Sequence, residues 1–109
     1  MQQPDALLVL TTWPAGADPA TFASTLVDER LAACVNVLPE MDSVYRWQGR
    51  VEHARERQVL IKTTRRQLDA LKLRLHALHP YEIPELIALP IAGGAEAYLA
   101  WLAEGTQQG

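Results

Sequence analysis

Two closely spaced prolines, Pro80 and Pro84, constrain this chain more than any other feature of its sequence. Proline fixes φ at about −65° at its own position and pushes the residue before it out of the α region. A helix that reaches His79 must therefore end there, and the chain must continue extended through Ile83. We call residues 79–85 the proline corner, and it predicts a rigid joint between a helix and a final strand.

The proline corner also concentrates groups that bind ligands. It holds an imidazole, a phenol and two carboxylates, contributed by His79, Tyr81, Glu82 and Glu85. Together these side chains provide hydrogen-bond donors, acceptors and metal ligands. Two interpretations follow: the segment is either a packed helix-to-strand joint or part of a binding site.

Hydrophobic periodicity and capping signals predict the other elements. Asp18 followed by Pro19 predicts the start of a helix, and Thr64 with Gln67 three residues later matches a capping box. An interruption at 39–42 predicts a bulge within a strand. The predicted elements are a strand at 6–12, a helix from 18 to about 30, a strand at 33–38 that resumes at 43–47, a strand at 50–64, a helix at 64–79, a strand at 86–89 and a helix at 95–103, after which the end should fray.

A long β-hairpin is expected around Gln48-Gly49, a dipeptide suited to a tight turn. Its second leg, 50–64, spans about 50 Å if fully extended, whereas a compact chain of this size has a radius of gyration of about 13 Å. The hairpin should therefore protrude. Tyr45 and Trp47 share one of its faces with no apolar segment of the same chain to cover them, so the ribbon either folds back or packs on another copy.

The order of elements predicts an α+β fold, a ferredoxin-like βαββαβ sandwich with a long protruding β-hairpin and a C-terminal helix. We expect one domain over residues 1–109, with an ordered core at about 6–103. A single helical layer leaves the other face of the sheet uncovered, which favours self-association.

Composition excludes several classes of function. A net charge of −3 argues against nucleic-acid binding, which needs a basic face. No apolar run approaches the roughly 20 residues of a membrane span, and the first residues lack the positive charge of a signal peptide. A single cysteine, Cys34, calls for no oxidising compartment, so we expect a cytoplasmic protein without nucleic-acid or membrane partners.

Standard catalytic and metal motifs are absent from the sequence. It contains no zinc-type Cys or His spacing, no nucleophile elbow and no phosphate-binding glycine loop. Cys34 lies in an apolar strand and is expected to be a small core residue. Lys62 is either a partly buried cation paired with Glu56, Glu82 or Glu85, or a lysine that extends into solvent.

Several ordered blocks resemble the CutA divalent-cation tolerance protein family. They span about residues 6–102 and are Glu29-Arg30-Leu31-Ala32-Ala33-Cys34-Val35-Asn36, Tyr45-x-Trp47-x-Gly49, Lys62-Thr63, His79-Pro80-Tyr81-x-x-Pro84-Glu85 and Tyr98-Leu99-x-Trp101. The resemblance implies a PII-like trimer, similar to nitrogen-regulatory signalling trimers, in which long ribbons pack between subunits. It also implies a role in tolerance of copper and other divalent cations, with no established reaction.

The resemblance carries over to individual residues. Family members credited with copper binding have a cysteine at the end of the first strand and paired histidines before Pro-Tyr; this chain has Thr11, Leu78 and His79 there. His79 is therefore the one expected metal ligand, and copper or another divalent cation should bind weakly, with no cofactor required. The residues expected at an inter-subunit cleft are Glu56, Lys62, His79, Tyr81 and Glu85, and those at the trimer interface are Tyr45 and Trp47.

The expected function is therefore a homotrimeric divalent-cation (copper) tolerance protein with a binding or signalling role. One alternative is an enzyme that acts on a small anionic metabolite in the subunit cleft, using Lys62 and His79. A structural trimer that scaffolds partners is the other.

Overall fold

Seven helices and strands follow one another in the computed structural model, which describes residues 5–107. Their order is the predicted one. The elements are β1 (Ala6–Pro14), α1 (Ala20–Asp28), β2 (Cys34–Trp47), β3 (Arg50–Thr64), α2 (Arg65–Leu78), β4 (Ile87–Pro90) and α3 (Glu96–Gly105).

The strands form one antiparallel sheet in the order β2-β3-β1-β4. In a ferredoxin-like fold, the two strands of each βαβ unit flank one strand of the other unit. Here β3 lies between β1 and β2, and β1 lies between β3 and β4, so the order confirms the predicted arrangement. β4 lies at an edge of the sheet. Pro90 has no backbone N–H group, but no further strand of residues 5–107 lies beside β4 to accept a hydrogen bond from it.

The hydrophobic core lies between the sheet and the helices α1 and α2. Alternate residues of the strands face it, so Val59 and Ile61 are fully buried while Gln58 and Lys62 project from the opposite side. We call that opposite side the open face of the sheet. The buried core cluster consists of Val9, Trp13, Phe22, Leu26, Leu31, Ala32, Val59, Ile61, Leu71 and Leu75.

The long hairpin of β2 and β3 is confirmed. Its turn has positive φ at Gln48 (50°) and Gly49 (79°), as a type I′ turn requires. The register of the two strands shifts between Val37 and Glu40, which confirms the predicted bulge. The radius of gyration is 14.7 Å, above the value of about 13 Å expected for a compact chain of this length.

Some predicted boundaries were wrong at the ends of the first strand and helix. Trp13 was placed in a loop, yet it belongs to β1 and stacks on Phe22 with ring centroids 4.5 Å apart. α1 begins at Ala20, and the Asp18 carboxylate accepts a 2.9 Å hydrogen bond from the Ala20 amide. Within this helix Phe22 and Leu26 are buried, whereas Val27 is 41% exposed.

The predicted capping box at the start of α2 was also wrong. Thr64 is the N-cap residue, but it makes no capping hydrogen bond. Its hydroxyl instead lies 3.2 Å from that of Thr106, and the Gln67 amide donates a 2.7 Å hydrogen bond to the Thr106 carbonyl. The buried end of another helix thus competes successfully for both side chains.

The last helix extends further than predicted and lies partly over the open face. It reaches Gly105, and the following Thr106 is fully buried, so the expected fraying does not begin at Glu104. Leu102 has no exposed surface and docks this helix, whereas Tyr98 and Trp101 remain 43% and 48% exposed. Within residues 5–107, no helix combines the length and the apolar character needed to cross a membrane.

Candidate functional site

A cavity of about 760 Å³ opens between the long hairpin and the proline corner. The open face of the sheet forms its floor, and the corner forms one wall. We call it the corner cavity. Its lining residues are Thr12, Met41, Ser43, Val44, Tyr45, Trp47, Glu56, Gln58, Pro80, Tyr81, Glu82, Ile83, Pro84 and Glu85.

Glu56 is the most buried acidic residue of the cavity, with only 5% of its surface exposed. Its Oε2 accepts a 2.7 Å hydrogen bond from the phenol of Tyr81. Burial raises the pKa of Tyr81 well above its usual value of 10.0, and the hydrogen bond to the Glu56 carboxylate raises it further. Tyr81 therefore remains a neutral donor that orients Glu56.

A second carboxylate is held in the same way. The Gln58 side-chain amide donates hydrogen bonds to Glu85 Oε2, at 3.0 Å, and to the carbonyl of Thr11, at 2.7 Å. Gln58 and Glu56 lie two residues apart on β3 and so share one face of the strand. Two neutral donors thus direct two carboxylates at the cavity.

His79 lies behind the cavity wall and not in its lining. It is 8% exposed, and its ring packs edge-on against Trp13 at a centroid distance of 4.9 Å. Its Nε2 is 2.6 Å from the Thr12 carbonyl, and its Nδ1 accepts a 3.0 Å hydrogen bond from the Tyr81 amide. Since a carbonyl can only accept, the proton sits on Nε2, and both ring nitrogens are occupied.

Burial lowers the pKa of His79 below its usual 6.5. The hydrogen bond to Thr12 and the charge of Glu56 act in the opposite direction, but desolvation is the larger effect. The imidazole is consequently neutral near pH 7. It fixes the start of the proline corner against β1.

Lys62 does not reach the cavity. Six residues separate it from Glu56 on β3, which corresponds to roughly 20 Å along the strand. Its ammonium lies 3.3 Å from the Tyr98 hydroxyl and 5.6 Å from the centre of that ring. It therefore contacts α3 instead of the glutamates that the sequence suggested as partners.

Neither the thiol of Cys34 nor Thr11, which stands at a family ligand position, lines the corner cavity. Cys34 is half-buried at the start of β2, not a core residue as expected, and its sulfur lies 3.6 Å from Asn36 Oδ1. Thr11 is fully buried in β1. Across residues 5–107, no group of three or more His, Cys, Asp or Glu side chains is arranged to hold a metal ion.

The structure thus brings Glu56, Tyr81 and Glu85 together and leaves Lys62 and His79 outside the cavity lining. Tyr45 and Trp47 form its outer wall and remain 43% and 40% exposed. Sequence reasoning proposed the proline corner as part of a binding site but missed the contributions of Met41, Ser43 and Gln58. The two-residue alternation along β3 would have found Gln58, because it places that side chain beside Glu56.

Fold and site together define a small α+β protein of the ferredoxin-like class with an acidic, aromatic cavity between a protruding hairpin and the proline corner. A family model for the CutA1 divalent ion tolerance protein matches residues 7–105. The chain belongs to this CutA family.

Individual relatives agree with this membership. The divalent-cation tolerance protein CutA of Thermus thermophilus is 52% identical over 99 residues, covering 91% of this chain and 96% of the relative. A solved structure of the divalent cation tolerance protein from Thermus thermophilus superposes with a TM-score of 0.89 at 50% identity, covering 94% of this chain and 99% of that one. A chloroplastic CutA protein of Arabidopsis thaliana is 41% identical over 102 residues, covering 94% of this chain and 56% of that protein.

Proposed function

We propose that this chain acts as a cytoplasmic homotrimer in tolerance of divalent cations, copper among them, through binding or signalling instead of catalysis. The observation that carries the proposal is the match of residues 7–105 to a family named for divalent ion tolerance. Relatives at 52% and 44% identity over most of this chain have names that include the same role.

The surface of the single chain supports self-association. Ile87 and Leu89 on the edge strand are 47% and 43% exposed, and Tyr45 and Trp47 on the hairpin are similarly uncovered. An exposed apolar surface of this kind is typical of a protein interface. The three-fold arrangement rests on the family resemblance.

A binding role agrees better with the site than catalysis does. The enzymatic alternative needs Lys62 and His79 in one inter-subunit cleft, and within the single chain Lys62 contacts α3 while His79 is enclosed against β1. A small anion as ligand is also disfavoured, because no Lys or Arg of residues 5–107 lines the corner cavity.

Growth under metal stress tests the role directly. A bacterial strain that lacks its own member of the family would be given this chain, and growth would be measured over a graded series of copper and zinc concentrations. We expect the chain to restore growth at concentrations that inhibit cells carrying an empty vector. Equal growth of the two strains at every concentration, with the protein present at a normal level, would contradict the proposal.

A further inference from the structure

The charge of the corner cavity is unbalanced. Three carboxylates line it, those of Glu56, Glu82 and Glu85, without a Lys, Arg or His in the lining within the part of the chain described. Glu56 is 5% exposed and takes part in none of the salt bridges of residues 5–107. Buried carboxylates are nearly always paired with a cation, so Glu56 favours a cationic partner that residues 5–107 do not supply.

The donors that hold the two inner carboxylates do not reduce this charge. A phenol binds Glu56 and a side-chain amide binds Glu85, and both donors are neutral. Each carboxylate has two oxygens that together accept several hydrogen bonds. Both groups are therefore oriented and still able to accept N–H donors from a ligand.

The remaining walls are aromatic and apolar. Tyr45, Trp47 and Tyr81 contribute rings, and Val44 and Ile83 contribute aliphatic surface. The faces of aromatic rings attract ammonium groups, most strongly where water is displaced. Aliphatic walls favour a ligand that has an apolar stem.

A bare metal ion fits these walls less well. Divalent cations such as Mg²⁺ or Ca²⁺ need several oxygen ligands around one point, and no such group of side chains occurs among residues 5–107. The volume of about 760 Å³ lies within the range of small-molecule sites, roughly 300–1,000 Å³, and greatly exceeds that of an ion.

We propose that the corner cavity binds an organic ammonium ion with a short apolar stem, with its N–H groups donating to Glu56 and Glu85 and its stem lying against Tyr81 and the hairpin aromatics. A diaminoalkane of about four carbons represents this class. This inference rests on the proposed binding function, because it names a ligand for the inter-subunit cleft. It does not depend on copper binding.

Calorimetric titration with 1,4-diaminobutane and with butane-1,4-diol tests this. The two compounds have the same length and differ in charge, so we expect saturable binding of the diamine and none of the diol. Glu56→Gln and Glu85→Gln should each weaken diamine binding by about tenfold or more, because each removes a charge-assisted hydrogen bond. Glu104→Gln is the matched control, since Glu104 is exposed on α3 outside the cavity, and it should leave the affinity unchanged.

Other outcomes would overturn the inference. Equal binding of diamine and diol would show that charge is not recognised, and full affinity in both cavity variants would place the diamine elsewhere. Glu85→Gln keeps the test decisive if Glu56→Gln fails to fold. A parent protein that binds no diamine, combined with loss of assembly in Glu56→Gln, would show that a second copy of the chain supplies the cation.

The two proposals fail separately. Protection against copper without diamine binding removes only the ammonium ligand. Diamine binding without protection against copper removes only the role in metal tolerance.

Discussion

The phenol of Tyr81 donates a 2.7 Å hydrogen bond to Oε2 of Glu56, which ties the proline corner to strand β3. The two residues lie 25 positions apart in the sequence, and Glu56 is almost completely buried. This bond closes one side of the corner cavity. Its loss would leave a buried carboxylate with no phenolic donor.

Replacement of Tyr81 by phenylalanine should therefore destabilise the fold. Tyr81→Phe keeps the ring and removes the hydroxyl, and a buried acceptor left without its donor typically costs about 1–3 kcal/mol. Urea unfolding monitored by circular dichroism measures the change. Tyr98→Phe is the control, because Tyr98 is 43% exposed, and a similar loss in both variants would contradict the importance of the Glu56 contact.

The neutral state of His79 should make stability depend on pH. Burial lowers its pKa in the folded protein below the value of about 6.5 expected in the unfolded chain. The unfolded state consequently binds more protons, and the contribution of His79 lowers the free energy of unfolding as the pH falls below about 6.5. Above that value His79 is neutral in both states and contributes no pH dependence.

Unfolding measurements between about pH 7.5 and pH 5.5 test this contribution. The parent should lose stability over this interval, and His79→Gln should lose less. His53→Gln serves as the control, since His53 is exposed on the hairpin, and it should follow the parent. If His79→Gln leaves the slope of the unfolding free energy against pH unchanged, other groups cause the pH dependence.

Local sequence signals were sufficient for most of the fold. The two prolines end α2 as predicted, with His79 as its C-cap residue in an extended conformation. Gln48-Gly49 forms the hairpin turn, and β3 has the predicted limits of 50 and 64. These features depend on the allowed φ values and the side-chain alternation of a few neighbouring residues. Such local constraints follow directly from the residue types in the sequence.

Predictions failed where a distant segment decides the outcome. Thr64 and Gln67 match a capping box, but Thr106 offers them buried partners that no local pattern reveals. For Lys62 the sequence left two alternatives open, a glutamate partner or extension into solvent, and only the structure shows that it contacts Tyr98 of α3. The corner cavity likewise depends on how the proline corner folds over β3, so Glu56, Tyr81 and Glu85 were grouped by family resemblance and not by geometry.

Trp47 should anchor the assembly. It is 40% exposed in the single chain, and a buried aromatic anchor usually contributes about 2–4 kcal/mol to an interface. Trp47→Ala should therefore shift the proposed trimer towards smaller species at micromolar concentration, as measured by light scattering. Leu73→Ala is the control, because Leu73 is 77% exposed on α2, away from the hairpin.

A parent protein that is monomeric at these concentrations, with a mass near 12.1 kDa, would contradict the trimer itself. A trimer that is equally stable with Trp47→Ala and Leu73→Ala would leave the assembly in place and remove Trp47 as its anchor.

Copper should bind only weakly. His79 was the one ligand expected from the family pattern, and both of its ring nitrogens already form hydrogen bonds, with the Thr12 carbonyl and the Tyr81 amide. A metal ion must displace one of these bonds, and Thr11 and Leu78 supply no strong ligand nearby. We therefore expect micromolar affinity or weaker.

Calorimetric copper titrations at about pH 7.5 and pH 5.5 test both the strength and the ligand. Only the unprotonated imidazole binds copper, so affinity should fall on acidification. Because burial lowers the pKa of His79, the fall should begin below the usual value of 6.5. His79→Ala should abolish most of the binding, whereas His53→Ala should retain it. Nanomolar affinity that survives His79→Ala would place the copper site elsewhere. The first side chains to replace would then be Cys34, Met41 and His76, which lies three residues before His79 in the last turn of α2.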